Sequence, residues 1–176
     1  KFDVVFPMIH GNTGEDGKIQ SLLELYNIKY VGCNSYSSFI CYDKLLTKIF
    51  LEKFNITQVP YIIYTENMNY KKLEYPLIVK PCKSGSSIGI TIANNKKELI
   101  KAIKLAKKYD NNILIEKYIK NKKELECAIL QNKNKLIISD VGEIITKNSF
   151  YDFNSKYINQ SKTIISDIDH NIKTQV

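Results

Sequence analysis

Lys80 ends an apolar run, Tyr75-Pro76-Leu77-Ile78-Val79, and opens onto Pro81-Cys82-Lys83-Ser84-Gly85-Ser86-Ser87-Ile88-Gly89. An ammonium at a strand end beside a glycine- and serine-rich loop can hold phosphate. Glycine lets the main chain come close, N–H groups point at anionic oxygens, and lysine supplies a compact charge. Taken alone, such a segment is more often an ordinary hairpin connection with a solvated lysine. Other groups have the same potential. His10 opens the loop Gly11-Asn12-Thr13-Gly14-Glu15-Asp16-Gly17, where an imidazole can bind a polar ligand or exchange a proton near neutral pH. Lys44 is a second cation, or else a surface charge. Glu116 and Lys117 close the run Ile113-Leu114-Ile115, and Glu124 follows a lysine-rich turn.

These groups need elements to position them. Val4-Val5-Phe6-Pro7 reads as a short strand, Ile19 to Tyr26 as a helix, and Ile28 to Gly32 as another strand. Strand, helix and strand in this order predict a parallel α/β unit, whose ligands sit beyond the carboxyl ends of strands. His10 falls at such an end. Ser35 to Ser38 cap one helix that carries Phe39, Ile40, Lys44, Leu45, Ile49 and Phe50. Tyr61 to Tyr64 is β-rich, and Thr65 to Leu73 is a loop with a short helix. Ile90-Thr91-Ile92 leads out of the glycine loop. Asn94-Asn95 caps a helix from Lys96 to Tyr109, with Leu99, Ile100, Ile103, Leu105 and Ala106 as its apolar face. A strand follows from Ile113 to Ile119. Glu124 to Leu130 alternates as one strand, Asn132-Lys133-Asn134 turns, and Leu136-Ile137-Ile138 returns. Gly142 to Ile145 and Thr163 to Ser166 are further strands, flanking a loop, Phe150 to Tyr157, dense in aromatic and polar groups. The tail from Asp169 carries no helix-stop signal.

Composition narrows the classes of function. With 44% hydrophobic and 25% charged residues, the 176-residue chain can bury a core in one or two domains. No apolar run is long enough to cross a bilayer and no signal peptide opens the chain, so the expectation is a cytoplasmic protein without a membrane partner. The net charge is +8 and every basic residue is lysine. Without arginine the bidentate reading of guanine is lost, and the lysine surplus reads as a solvated face, not a nucleic-acid site. Cys33, Cys41, Cys82 and Cys127 form no C-x-x-C pair, so they read as reduced, mostly buried thiols. The opening Lys1-Phe2-Asp3-Val4 reads like the middle of a protein, which suggests a fragment.

Taken together, the segments resemble the D-alanine–D-alanine ligase family of the ATP-grasp superfamily. The resemblance lies in His10-Gly11 with Gly14-Glu15-Asp16-Gly17; Tyr30-Val31-Gly32; Asp43-Lys44; Val79-Lys80-Pro81 with Gly85-Ser86-Ser87-Ile88-Gly89; Leu114-Ile115-Glu116-Lys117; Glu124-Leu125-Glu126-Cys127-Ala128; and Phe150-Tyr151-Asp152 with Lys156-Tyr157. They stand in the family's order and spacing across nearly the whole chain. The resemblance implies an α/β (α+β) class and a partial ATP-grasp fold. Residues 1–41 would finish an N-terminal parallel α/β substrate domain, 42–115 form the central small domain, and 116–176 begin the large one.

The activity implied is ATP-dependent joining of two D-amino acids for peptidoglycan precursors, through a D-alanyl phosphate. By resemblance, Lys44 and Lys80 would hold the α- and β-phosphates, and Ser86, Ser87 and Ile88 would close over the γ-phosphate. Glu116, Lys117 and Ile119 would contact adenine, partly through the backbone, and Glu124 the ribose. Glu116 and Glu124 stand one residue further apart than is usual in the family, so Lys123 or Glu126 competes with Glu124 for that role. Lys156 would approach the γ-phosphate, Tyr157 would bond Ser86, and His10 would lie near the first D-alanine. Tyr157 suits a dipeptide-forming member, whereas Gly32-Cys33 and Ile40-Cys41 resemble the vancomycin-resistance branch, so D-alanine and D-serine both stand as second substrate. The cofactors implied are ATP and Mg²⁺, and a full-length member would be a homodimer. The family's N-terminal glycine loop would precede Lys1. Its magnesium ligands and an adjacent arginine would follow Val176, so the expectation is negligible turnover by this chain alone. Another carboxylate–amine ligase and a non-catalytic nucleotide-binding fragment are the competing readings; His10-Gly11 and Phe150-Tyr151-Asp152 argue against the first of these.

Overall fold

The apolar run before the glycine loop becomes an inner strand of an antiparallel sheet. A computed structural model describes residues 2–145 and 162–174. The chain divides into two compact units, Lys1–Tyr118 and Ile119–Val176. In the first, the order is α1 (Lys18–Leu25), α2 (Ser35–Tyr42), α3 (Lys44–Lys53), β1 (Tyr61–Ile63), a 3₁₀ turn at Tyr70–Lys72, β2 (Leu77–Pro81), β3 (Thr91–Ala93), α4 (Lys96–Ala106) and β4 (Ile113–Lys117). The sheet order is β1-β4-β2-β3, antiparallel throughout.

Strand alternation divides the sheet's residues between two faces. Leu77, Val79, Ile113 and Ile115 point one way, into a core with Leu99, Ala102, Ile103 and Ala106 of α4. Those four helical positions recur at i, i+3, i+4 and i+7, the spacing of a single helix face. The α4 start is a reciprocal cap. Asn95 accepts from the Glu98 N–H, while the Glu98 carboxylate accepts from the Asn94 N–H. Ile78, Lys80, Leu114 and Glu116 take the opposite face. In register, Ile78 pairs with Glu116 and Lys80 with Leu114, so Lys80 and Glu116 are diagonal neighbours there.

Several expectations change. Of the four cysteines only Cys82 is buried, while Cys33 and Cys41 lie exposed around the short helix α2. The parallel unit exists, but its two expected strands reduce to one bridge, Val5 with Tyr30. Its hydrogen bonds run from Val5 N–H to Lys29 O and from Val31 N–H to Val5 O, at 2.8 and 2.9 Å. The expected helix from Ser35 to Phe50 is two helices. Asp43 breaks it in an extended conformation and caps the second, accepting from the N–H groups of Leu45 and Leu46. The cap of α2 is Asn34, one residue before the expected serines.

The second unit contains β5 (Leu125–Glu126), β6 (Ile129–Asn132), β7 (Lys135–Ile138), β8 (Gly142–Ile145), β9 (Lys162–Ile165) and α5 (His170–Lys173). The run expected as one strand from Glu124 to Leu130 splits at Cys127-Ala128 because it changes partners: β5 joins β8 and β9, while β6 pairs with β7. The turn at Lys133-Asn134 lies where the sequence places it. The tail forms one helical turn capped by Asp169. The loop Phe150 to Tyr157, with Lys156 and Tyr157, lies outside the described residues.

Candidate functional site

The glycine loop joins β2 to β3, and three of its residues, two of them serines, take left-handed backbone conformations. Ser86, Ser87 and Gly89 have positive φ, at 52°, 59° and 75°. Ile88 N–H donates to Gly85 O at 3.0 Å, and Ser84 Oγ donates to Ile88 O at 2.8 Å. The base of the loop is anchored by Asp110, whose carboxylate accepts from Lys83 N–H at 2.7 Å. At Gly89 a Cβ would stand 2.6 Å from the Tyr109 ring and 2.8 Å from the Pro81 ring.

Lys44 lies at the first position of α3 and reaches this loop. Its N–H donates to Cys82 O at 3.1 Å, and its Nζ donates to Ser84 O at 2.5 Å and to Cys82 O at 3.4 Å. Burial lowers the Lys44 pKa from its ordinary value, and the Lys80 charge nearby lowers it further. Lys44 and Lys80 are thus like charges whose mutual repulsion a bound polyanion would relieve. Lys80 is paired with Glu116, whose other oxygen lies 2.7 Å from Lys48. Burial pushes the Glu116 carboxyl up, but the Lys80 and Lys48 ammoniums outweigh it and hold the group below the ordinary glutamate value.

His10, Glu15, Gln20, Lys44, Ser84 and Gly85 share the lining of a cleft of about 590 Å³. Glu15 shapes the wall by accepting from Gly11 N–H at 2.6 Å, and Gln20 by donating to Gly14 O at 2.8 Å. A larger cleft of about 780 Å³ is lined by Asp16, Asp43 and Asp110 with Tyr36, Phe39 and Tyr42. Its carboxylates already serve Lys18, Lys83 and main-chain N–H groups, and among the described residues it gathers none of the expected site residues.

The structure therefore brings together His10, Lys44 and the glycine loop, with Lys80 and Glu116 on the adjoining sheet face. The Glu116 side chain faces lysines, and Lys117 is exposed at the end of β4. Ile119 and Glu124 belong to the second unit, where Glu124 pairs with Lys122. Sequence reasoning missed Lys48. The one available signal was its spacing of four from Lys44 on a helix. Among the described residues no three His, Cys, Asp or Glu side chains gather to hold a metal ion.

The family model described as D-ala D-ala ligase C-terminus matches residues 50–176, and the one described as D-ala D-ala ligase N-terminus matches residues 1–33. The D-alanine–D-alanine ligase of Acetivibrio thermocellus is 44% identical over 175 residues, spanning 93% of this chain and 46% of that protein. That of Thermoanaerobacter pseudethanolicus is 46% identical over 172 residues, spanning 93% and 47%. The crystal structure of VanG D-Ala:D-Ser ligase from Enterococcus faecalis superposes with a TM-score of 0.85 at 35% identity, covering 99% of this chain and 53% of that one. The crystal structure of D-alanyl-alanine synthetase A from Vibrio cholerae gives a TM-score of 0.83 at 29% identity, covering 98% of this chain and 56% of that one. The chain spans about half the length of the curated relatives it matches.

Proposed function

This chain belongs to the D-alanine–D-alanine ligase family, and from that premise we propose that it carries the nucleotide site and part of the amino-acid site of an ATP-dependent D-alanine–D-alanine ligase. The first D-alanine's carboxylate attacks the γ-phosphorus of ATP, giving D-alanyl phosphate and ADP. The second substrate's amine attacks the acyl carbon, the peptide bond forms, and phosphate and a proton leave. Lys44 and Lys80 hold the α- and β-phosphates. Ser86, Ser87 and Ile88 cover the γ-phosphate, and His10 stands by the first amino acid. By the family resemblance Glu116, Lys117 and Ile119 would contact adenine, partly through the backbone, and Glu124 the ribose. By the same resemblance Lys156 would serve the γ-phosphate and Tyr157 would bond Ser86. In such transfers fixed donors and charges supply most of the catalysis.

The observation that carries this reading is the convergence of Lys44 on the glycine loop in the His10 cleft. The reading brings with it Mg²⁺ as the ion accompanying ATP, a cytoplasmic setting and a homodimeric full-length protein. The test is calorimetric titration with a non-hydrolysable ATP analogue. Lys80→Ala should weaken binding about tenfold or more, as loss of a charge-assisted phosphate contact requires. Equal affinity of the variant and the unmodified chain would refute the site.

D-serine as second substrate is a second reading, favoured by the likeness to VanG and by Cys33 and Cys41 lining the His10 cleft. The ratio of kcat/KM for the two amino acids, measured on the complete gene product, separates them.

A further inference from the structure

Lys48 stands one helical turn after Lys44 on α3, on the same side of the helix. Its Nζ is 2.7 Å from Glu116 Oε1, 3.4 Å from Val59 O and 4.8 Å from the centre of the Tyr61 ring. Its main-chain carbonyl accepts from Gln58 Nε2 at 2.9 Å. Tyr61 is itself held, donating to Glu52 at 2.8 Å. The other Glu116 oxygen pairs with Lys80. One enclosed carboxylate thus lies between two ammoniums from different elements.

Exposure separates the two lysines. The Glu116 side chain is 6% exposed and Lys48 13%, whereas Lys80 retains 24%. Lys48 is surrounded by protein partners, and Lys80 keeps a way to solvent. Charge counting gives the consequence. Paired with Lys80 alone, Glu116 would neutralise it. Shared with Lys48, it leaves the trio at a formal +1. A buried carboxylate with two cations is also far cheaper to keep ionised than one with a single, partly solvated partner.

We propose that Lys48 is a positioning residue for the polyphosphate site: it shares Glu116 with Lys80, so that the Lys80 ammonium is fixed in direction without being neutralised. The same contact ties α3, and Lys44 with it, to the sheet that carries Lys80. The inference rests on the nucleotide reading above and extends it to a group that touches no phosphate.

Because Lys48 acts through Glu116 on Lys80, its loss should be felt by phosphates and not by the nucleoside. Lys48→Met keeps the side-chain stem and removes the charge; Lys48→Arg keeps the charge. Each is titrated with adenosine, ADP and a non-hydrolysable ATP analogue, with circular dichroism as the check on folding. Lys48→Met should bind ADP and the ATP analogue about tenfold more weakly. Its adenosine affinity should stay within about twofold of the unmodified chain, and Lys48→Arg should recover most of the loss. Should Lys48→Met fail to fold, Lys48→Gln makes the same measurement, since it can still donate to Glu116 without charge. An unchanged ATP-analogue affinity, or an equal loss for adenosine, overturns the inference while leaving the nucleotide reading intact. Failure of the unmodified chain to bind any of the three overturns the nucleotide reading and this inference with it.

Discussion

Glu116 carries two opposed influences, burial and a pair of ammoniums, and the ammoniums win. The sign follows from linkage. Its folded pKa lies below the unfolded one, so the stability it contributes is complete above the ordinary value of 4.5 and is lost as pH falls through the lower folded value. Glu116→Gln should therefore cost about 2–3 kcal/mol at neutral pH, because it leaves two partly enclosed ammoniums without their counter-charge. In urea titrations the gap between the unmodified chain and the variant should close as pH drops below 4.5. A gap that stays constant with pH would mean that packing, not charge, is what the carboxylate supplies. At this scale the sequence was readable where chemistry is local. Lys80 announces itself beside a glycine loop. Lys48 does not, because what gives it a role is a carboxylate on β4, far along the chain, and only the folding of α3 against that sheet face brings the two together.

At the scale of elements, legibility followed burial. β2 and β4 are apolar runs because both their faces are covered, and α4 has a clean apolar stripe, so all three stand close to where the pattern places them. The misplaced boundaries are those set by single polar contacts. Asp43 divides one apolar pattern into two helices, and Asn34 takes the cap from the serines. The β5–β6 break comes from a change of sheet, which no alternation pattern records. The glycine loop was legible as a loop, but its tightness at Gly89 was not. Tyr109 is half exposed and can swing aside, whereas Pro81 is fully buried in β2 and cannot. Gly89→Ala should thus combine left-handed strain with a clash against fixed atoms, costing about 1–3 kcal/mol in a urea unfolding titration. It should weaken the ATP analogue as well, since the strain falls on the loop that would cover the phosphates. A variant with unchanged stability would show that the β2–β3 loop adjusts freely.

At the scale of the whole molecule, the +8 charge comes from lysines spread along the chain. Lys97, Lys101, Lys104 and Lys108 lie on and just beyond the exposed face of α4, away from the buried stripe. Such charges touch no ligand, but they raise the potential that a tetra-anionic nucleotide meets on approach. The enclosed trio of Lys48, Glu116 and Lys80 is screened far less by salt than these surface groups are. Screening shortens from about 10 Å at 0.1 M salt to about 3 Å at 1 M. The two contributions should therefore separate kinetically. In stopped-flow measurements the association rate of the ATP analogue should fall several-fold as salt rises across that range, while the dissociation rate changes little. Replacing the four α4 lysines by glutamine should flatten the salt dependence of association and leave dissociation as it was. If salt acted chiefly on dissociation, the surface charge would be bystander solvation, and the phosphate contacts themselves would be exposed, contrary to the enclosure of Lys44 and Glu116.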